Sequence, residues 1–396
     1  MKRFGALGVA LTFAAIPLFP SFIALTSVAF PGVSLLPKPE TLVLLGLVTV
    51  VAIFELFAVM QKPREPVVML VPLLLWYGAA FASAILGLDP AAGLLFVTIF
   101  GATVLWHVAV VRFYRVPGAP ALMYRCFLWS GALAALTSIV MVATRVPAAL
   151  YTIGHGRAIG PFILPGELAG FLIVYLAVAF GVARTTAARD LRVVAWIGLA
   201  VGAVALLLTF SRAGWMGFAA ALAFLVVARG LPRRYAVVVV CVAIALVAVL
   251  FNAHHNPSEN YTRISIWRAA WSVVERFPLT GVGPFVFSEI YPYVRQPDGD
   301  PTAFHAHSFF LTIAAEMGLV GLGAVVYAWW RFARALSDRL RTASARHATL
   351  ALAIAAGLLG TLVQGLIDTV TIEIFCLWLP TMALSLMAAS DGLRDA

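Results

Sequence analysis

Residues 304–322 read FHAHSFFLTIAAEMGLVGL, an apolar stretch with two histidines at its start. Apolar runs of this kind recur along the chain, and about 20 apolar helical residues cross a bilayer core of about 30 Å. The composition agrees, because 63% of the residues are hydrophobic and only 11% are charged, whereas soluble domains are about 25% charged. The sequence therefore predicts an all-α polytopic membrane protein.

Apolar runs separated by helix breakers predict twelve membrane spans in a single integral-membrane domain, residues 1–396. The N-terminal run is interpreted as the first span and not as a signal peptide, because it is too long, contains prolines and ends without a clear cleavage site. The spans are expected near 4–30, 41–60, 67–86, 92–111, 126–144, 163–183, 193–209, 213–228, 235–251, 307–330, 348–366 and 374–390.

The distribution of positive charge predicts the orientation of these spans. With the N-terminus inside, alternate loops place all but eight of the 27 Lys and Arg residues on the inner side. Cytoplasmic loops of membrane proteins are enriched in these residues, so both termini are expected in the cytoplasm. Orientation also accounts for the net charge of +10, and no nucleic-acid partner is predicted.

Eight basic residues depart from this rule and mark the outer side. Seven are arginines, whose planar guanidinium groups suit phosphate and carboxylate. Any single arginine is more simply explained by pairing with outside acids such as Glu259 and Glu275. As a group beside apolar spans, however, they indicate an anion site. The eight are Lys38, Arg145, Arg157, Arg212, Arg263, Arg268, Arg276 and Arg295.

The one long loop between predicted spans, residues 252–306, is on the outer side, and a long loop in a compact protein is usually functional. Its sequence predicts an amphipathic helix from about 260 to 276 that lies along the outer leaflet. A Pro/Gly turn at 278–285 ends this helix. Its predicted apolar face consists of Ile264, Trp267, Trp271 and Val274.

Two spans are interrupted by residues that are costly at membrane depth. Ser211 and Arg212 stand between two apolar runs, and an arginine there normally faces a cavity or a partner; the alternative is that Arg212 extends to the interface. Pro165 and Gly166 break the start of another span, with Glu167 just inside it. Such a break lines protein or a watery cavity, unless it is an ordinary interfacial turn.

Within the 304–322 stretch a helix is predicted to begin near His307, which places this residue in the first turn. The positive end of a helix dipole disfavours an imidazolium, so the ring should remain neutral and able to accept a proton. On this helix Ser308, Thr312 and Glu316 fall on one polar stripe at four-residue spacing. The glycines that follow are expected to pack against a neighbouring helix.

Zinc is the competing explanation for the outside histidines, which are His254, His255, His305 and His307. Their spacing fits no standard zinc signature, and none of the three cysteines is on the outer side. We therefore predict a site without a metal or other cofactor.

Four outer-side segments together resemble the O-antigen ligase and polymerase superfamily of bacterial membrane proteins. The first is a Thr-x-Ser-Arg that ends a span and is followed by small residues, and the second is an Arg ahead of a Trp, with Pro and Gly-x-Gly further on. The third is a His-Ser followed later by Gly-x-x-Gly. The fourth is an Arg-x-x-Gly-x-Phe. The residues are Thr209, Ser211 and Arg212; Arg263, Trp267, Pro278, Gly281 and Gly283; His307, Ser308, Gly318 and Gly321; and Arg157, Gly160 and Phe162. The family's usual Asn after Pro165 is replaced here by Gly166 and Glu167.

The resemblance implies a GT-C-like membrane glycosyltransferase of about 12 transmembrane helices in the bacterial inner membrane, with one long periplasmic loop. A ligase of this kind moves a glycan from undecaprenyl diphosphate to the lipid A–core of lipopolysaccharide, without a metal. A polymerase passes the glycan to another lipid-linked repeat. Its partners would be the lipid-linked donor, the acceptor and membrane lipids.

By this resemblance His307 is the base that deprotonates the acceptor hydroxyl, and Arg212 and Arg263 stabilise the departing diphosphate. The predicted substrate-binding residues are Arg157, Arg268, Ser211 and His305. A function of another class, a secondary transporter or flippase for an anionic solute, also fits twelve spans. A transporter should hold its charged site near the midplane between repeats, whereas here the polar residues crowd one face.

Overall fold

The computed structural model describes residues 12–14, 67–113, 118–228, 257–297, 299–301, 303–369 and 378–390. Within these ranges the chain forms α-helices joined by turns, and no strand occurs. The helices are α1 (Leu70–Leu86), α2 (Pro90–Phe113), α3 (Ala119–Thr144), α4 (Ala148–Ile153), α5 (Pro165–Thr185), α6 (Arg189–Leu208), α7 (Arg212–Ala228), α8 (Pro257–Arg276), α9 (Phe287–Val294), α10 (Phe309–Thr342), α11 (Ala345–Gln364) and α12 (Trp378–Ala389).

Six of the described helices, α2, α3, α5, α6, α10 and α11, are long and apolar enough to cross a membrane. Three more, α1, α7 and α12, are apolar but shorter. The prediction of an all-α polytopic membrane protein is confirmed, and these nine helices coincide with nine of the predicted spans. The other three predicted spans, near 4–30, 41–60 and 235–251, lie outside the described residues apart from the short helical piece at 12–14.

Helix α5 is the centre of the bundle. It packs against α11, α6, α7 and α3, and nearly all of its residues are buried. A helix that is apolar on all sides belongs in the interior of such an assembly, and small residues let its neighbours approach closely. At its middle, Tyr175 donates a hydrogen bond to the Leu128 carbonyl of α3 (2.9 Å). The first turn of α5 is therefore held at a fixed place at one end of the bundle.

Helix α10 begins later than the sequence indicates and is not continuous. Ser308 is its N-cap and Phe309 its first residue, so the prediction that His307 stands in the first turn is wrong. His307 instead has a left-handed backbone (φ 47°) in the segment before the helix. The helix is broken at Gly318, where φ is 65° and ψ is −171°.

The long loop contains the expected helix, α8, and a second short helix, α9, that the sequence analysis did not predict. The predicted apolar face of α8 is only partly correct. Val274 is buried, but Ile264 and Trp271 are 42% and 56% exposed. The face that packs on the protein is instead formed by residues such as Ile266 and Val273, because contacts with α10 decide which side of α8 is buried.

Candidate functional site

A polar cavity of about 460 Å³ opens at one end of the helix bundle. Helices α5, α7 and α10 begin at this end, and α6 and α11 finish there. Among the described residues, the charged and polar side chains that line it are His155, Arg157, Glu167, Ser211, Arg212, Arg263, His305, His307 and Asp368.

Six of the seven site residues predicted from the sequence line this one cavity, although they come from four separate segments. The exception is Arg268, which is exposed on α8 and does not line the cavity. Sequence reasoning missed His155 and Asp368. The signal for Asp368 was weak, since it is a single acid just beyond the end of an apolar span.

The turn between α6 and α7 presents Ser211 and Arg212. The backbone N–H of Gly214 donates to Ser211 Oγ (3.1 Å), and the N–H of Ser211 donates to Thr209 Oγ1 (3.2 Å). Ser211 therefore caps α7, and Arg212 is the first residue of that helix. A helix N-terminus carries partial positive charge, which adds to the arginine charge at this wall of the cavity.

The segment before α5 brings Arg157 to the same wall. Its Nε donates to the Thr209 carbonyl (2.7 Å), and the N–H of Ala158 donates to the Leu208 carbonyl (2.9 Å). These bonds fasten the His155–Arg157 turn onto the end of α6. The carboxylate of Glu167 accepts the N–H groups of Ile163 (3.1 Å) and Leu164 (3.2 Å), which supports the non-helical approach to α5.

A further part of the cavity lining is organised by the turn after α11, residues 365–369. Arg263 Nη1 donates to the Ile367 carbonyl. The N–H of Phe309 lies 2.7 Å from the Gly365 carbonyl and 3.0 Å from the Asp368 carbonyl. One turn therefore holds both Arg263 of α8 and the start of α10, two residues after His307.

The two histidines contact each other directly. Their ring centroids are 4.2 Å apart in an edge-to-face arrangement, and the backbone N–H of His307 donates to His305 Nδ1 (3.0 Å). Because Nδ1 accepts a hydrogen bond here, neutral His305 carries its own proton on Nε2. His307 lines the cavity, and within the described part of the chain its ring makes no hydrogen bond.

Both imidazoles are neutral at physiological pH. Burial lowers the pKa of His305 to about 4, although Asp368 opposes this change. Burial, together with the neighbouring His305 and the Arg263 charge, lowers the pKa of His307 to about 3. The prediction of a neutral His307 therefore agrees with its environment, but the main cause is burial and not the helix dipole.

His305, His307 and Asp368 form a cluster with the composition of a metal site. It is the one such cluster among the described residues, and its potential ligand atoms lie within 4.8 Å of one another. A metal-binding histidine normally donates the hydrogen of its second nitrogen, whereas Nδ1 of His305 accepts one. Its Nε2 would have to lose a proton before it could bind a cation. The remaining two ligands are fewer than the three that catalytic zinc sites use, so the cluster fits a resident metal poorly.

A family model described as O-antigen ligase matches residues 197–326. The matched segment contains Arg212, Arg263 and His307 and excludes Arg157. This finding confirms the resemblance to the O-antigen ligase superfamily and supports a membrane glycosyltransferase of the ligase or polymerase kind. No curated protein matches the chain.

Proposed function

We propose that this protein is an O-antigen ligase-like glycosyltransferase at the periplasmic face of the bacterial inner membrane. It would transfer a glycan from undecaprenyl diphosphate to the lipid A–core of lipopolysaccharide. The observation that carries this proposal is that Arg212, Arg263 and His307 line one polar cavity at the end of an otherwise apolar bundle. A lipid diphosphate presents its charge where a membrane meets water, and the end of a membrane-spanning bundle is expected at that level.

The arginines that line the cavity would stabilise the departing diphosphate. Arg212 and Arg263 come from two different helices and both line the cavity. The Ser211 cap fixes the start of the helix that carries Arg212, and Arg263 is bonded to the Ile367 carbonyl, so both are positioned before substrate arrives. Fixed cations stabilise charge that develops on a leaving group without reorganising during the reaction. With both histidines neutral, the three arginines of the cavity outnumber the two carboxylates, Glu167 and Asp368, by one charge, which favours an anionic ligand.

His307 is the proposed base. Its ring would accept the proton of the acceptor hydroxyl while that oxygen bonds to the anomeric carbon and the bond to the diphosphate oxygen breaks. In the free protein the pKa of about 3 makes the ring always available but weakly basic. A bound diphosphate adds negative charge beside it, which raises the pKa of the ring, so the base gains strength when the donor is present.

An apolar cavity of about 60 Å³ begins beside the site, and it would hold only a short part of the donor's lipid tail. Phe309, two residues after His307, belongs to its lining, together with residues of α1, α11 and α12. Tail binding there would keep the diphosphate near the arginines, and binding energy from such remote parts of a substrate supports catalysis at the reacting centre.

The proposal is tested with purified protein, lipid-linked glycan and lipid A–core in detergent. We expect transfer that persists in excess chelator, and a loss of about 10²- to 10⁴-fold for His307→Ala with donor binding retained. Unchanged transfer by this variant would remove the base assignment. A requirement for a divalent cation would restore the metal explanation.

The acceptor is decided by the product. A ligase joins the glycan to lipid A–core, whereas a polymerase of the same superfamily extends a second lipid-linked repeat and leaves the core unmodified. Incubation with both acceptors, followed by mass analysis of the lipid products, distinguishes the two. Elongated lipid-linked chains alone would replace the ligase with the polymerase.

A further inference from the structure

The break in α10 is filled by another part of the chain. Residues 278–283, which we call the docked loop, follow α8 directly and insert at Gly318. The N–H of Leu319 donates to the Pro278 carbonyl (2.8 Å), and the N–H of Gly283 donates to the Glu316 carbonyl (2.9 Å). Backbone groups that the broken helix leaves unpaired are therefore satisfied by the loop, as an apolar environment requires.

Further bonds fasten the docked loop to both of its neighbours. The N–H of Val282 donates to the Ala315 carbonyl of α10 (3.0 Å), and the N–H of Leu88, beyond the end of α1, donates to the Val282 carbonyl (2.8 Å). The buried hydroxyl of Ser83 lies 2.6 Å from the Thr280 carbonyl and 2.7 Å from the Glu316 carbonyl. Ser83 is thus the side chain that joins α1, the loop and α10.

Two glycines make this approach possible. A Cβ at Gly281 would overlap the Glu316 carbonyl group, and a Cβ at Gly318 would overlap the Leu279 carbonyl. Gly318 also has backbone angles that are essentially confined to glycine. Both glycines belong to the motifs that carry the family resemblance, yet neither is among the described residues that line the cavity. The docking contact therefore joins two of these motifs.

The docked loop and the cavity are at opposite ends of the same two elements. Helix α8 carries Arg263 and runs into the loop, and residues 309–317 of α10 run from beside His307 to the break. At the cavity, the 365–369 turn holds both elements. At the other end, the loop holds them again. Two elements fastened at both ends cannot slide or tilt independently.

We propose that the docked loop is a positioning device that sets the separation between Arg263 and His307, with Ser83, Gly281 and Gly318 as positioning residues. The inference rests on the proposed function. The reaction needs a cation at the leaving diphosphate and a base at the acceptor on the other side of the same carbon. A misplacement of about 1 Å costs about 10²-fold in rate, so loosening the loop slows turnover more than it weakens donor binding.

The test removes the hydroxyl of Ser83 and compares it with a matched serine. Ser138 is buried in α3, and its hydroxyl bonds within its own helix, to Ala135 (2.7 Å). We expect Ser83→Ala to lower kcat by about 10- to 100-fold with the donor KM changed less than about twofold, and Ser138→Ala to leave both unchanged. Rates are measured on the monodisperse fraction of each variant and are expressed per molecule of folded protein.

Geometry is measured without substrate, by distance spectroscopy between spin labels at Trp271→Cys on α8 and Leu366→Cys on the 365–369 turn. Both positions are exposed, and the background lacks the three native cysteines. Ser83→Ala should broaden the distance distribution, and Ser138→Ala should not. Unchanged distances in Ser83→Ala would overturn the proposal. So would a Ser83→Ala variant that unfolds more easily but has a normal turnover rate per folded molecule. If wild-type protein transfers no glycan, the proposed function fails, while the distance measurement still decides whether the loop sets this geometry.

Discussion

Among the described residues, the approach to α5 and the break within α10 both depart from regular helical hydrogen bonding, and the chain satisfies their backbone groups differently. Before α5, the N–H groups of Ile163 and Leu164 are accepted by the carboxylate of Glu167. Within α10, the break at Gly318 is satisfied by the backbone of residues 278–283. The first arrangement borders the polar cavity, and the second is filled by chain. A side chain can thus support a break and leave space for a ligand, whereas an inserted backbone removes the space and fixes the elements.

The largest effect is expected where backbone fills the break. Gly318→Ala forces a residue with a Cβ into a glycine-only conformation and against the Leu279 carbonyl, so we expect a loss of about 3 kcal/mol in the free energy of unfolding. Thermal unfolding in detergent measures it. A Cβ added at Gly323 of the same helix would have no atom within 4 Å, so Gly323→Ala is the control that should be neutral or slightly stabilising. Equal stability of the two variants would contradict the role given to the break.

A smaller loss is expected at the break that a side chain supports. Glu167→Leu leaves the N–H groups of Ile163 and Leu164 without their acceptor, which should cost about 2 kcal/mol. Glu167→Gln keeps a carbonyl oxygen at this position and should recover most of that stability. If Gln is as damaging as Leu, the negative charge of Glu167 and not its acceptor oxygen is the feature that matters, and the comparison between the two breaks loses its basis.

The cavity histidines should contribute to the response of the protein to pH. Because burial lowers the pKa of His305 to about 4 and of His307 to about 3, the unfolded chain takes up protons below about pH 6.5 while the folded protein does not. The free energy of unfolding should therefore fall as pH drops from about 6.5 toward 4. For the same reason, kcat/KM for the donor should show no inflection near 6.5, with its acid limb displaced to lower pH. An inflection at 6.5 that disappears in His307→Gln would show that the ring is not shielded.

The sequence predicts the described spans well because a bilayer admits few alternatives to apolar helices. It also identifies Arg212, Arg263 and His307, since charged or titratable groups beside apolar runs stand out in such a composition. It does not identify Asp368, which has no local pattern around it, or the buried face of α8, which depends on contact with α10. Nor does it reveal that the loop containing Gly281 docks at the break at Gly318, because each glycine has an ordinary local explanation as a turn or a packing residue.

The last comparison is between two arginines on α8 itself, which connects the cavity with the docked loop. Arg263 lines the cavity and donates to the Ile367 carbonyl, whereas Arg268 points outward and is exposed. Arg263→Ala should weaken binding of a polyprenyl diphosphate by about 10- to 100-fold, since hydrogen bonds to charged groups contribute about 1.5–3 kcal/mol. Arg268→Ala should change it by less than about twofold, because exposed substitutions away from a site stay within about 0.5 kcal/mol. Titration with a fluorescent polyprenyl diphosphate measures both.

A comparable loss of affinity for Arg268→Ala would contradict this distinction between the two arginines. It would extend the anion site across the outer surface of α8 and restore the substrate-binding role that the sequence predicted for Arg268.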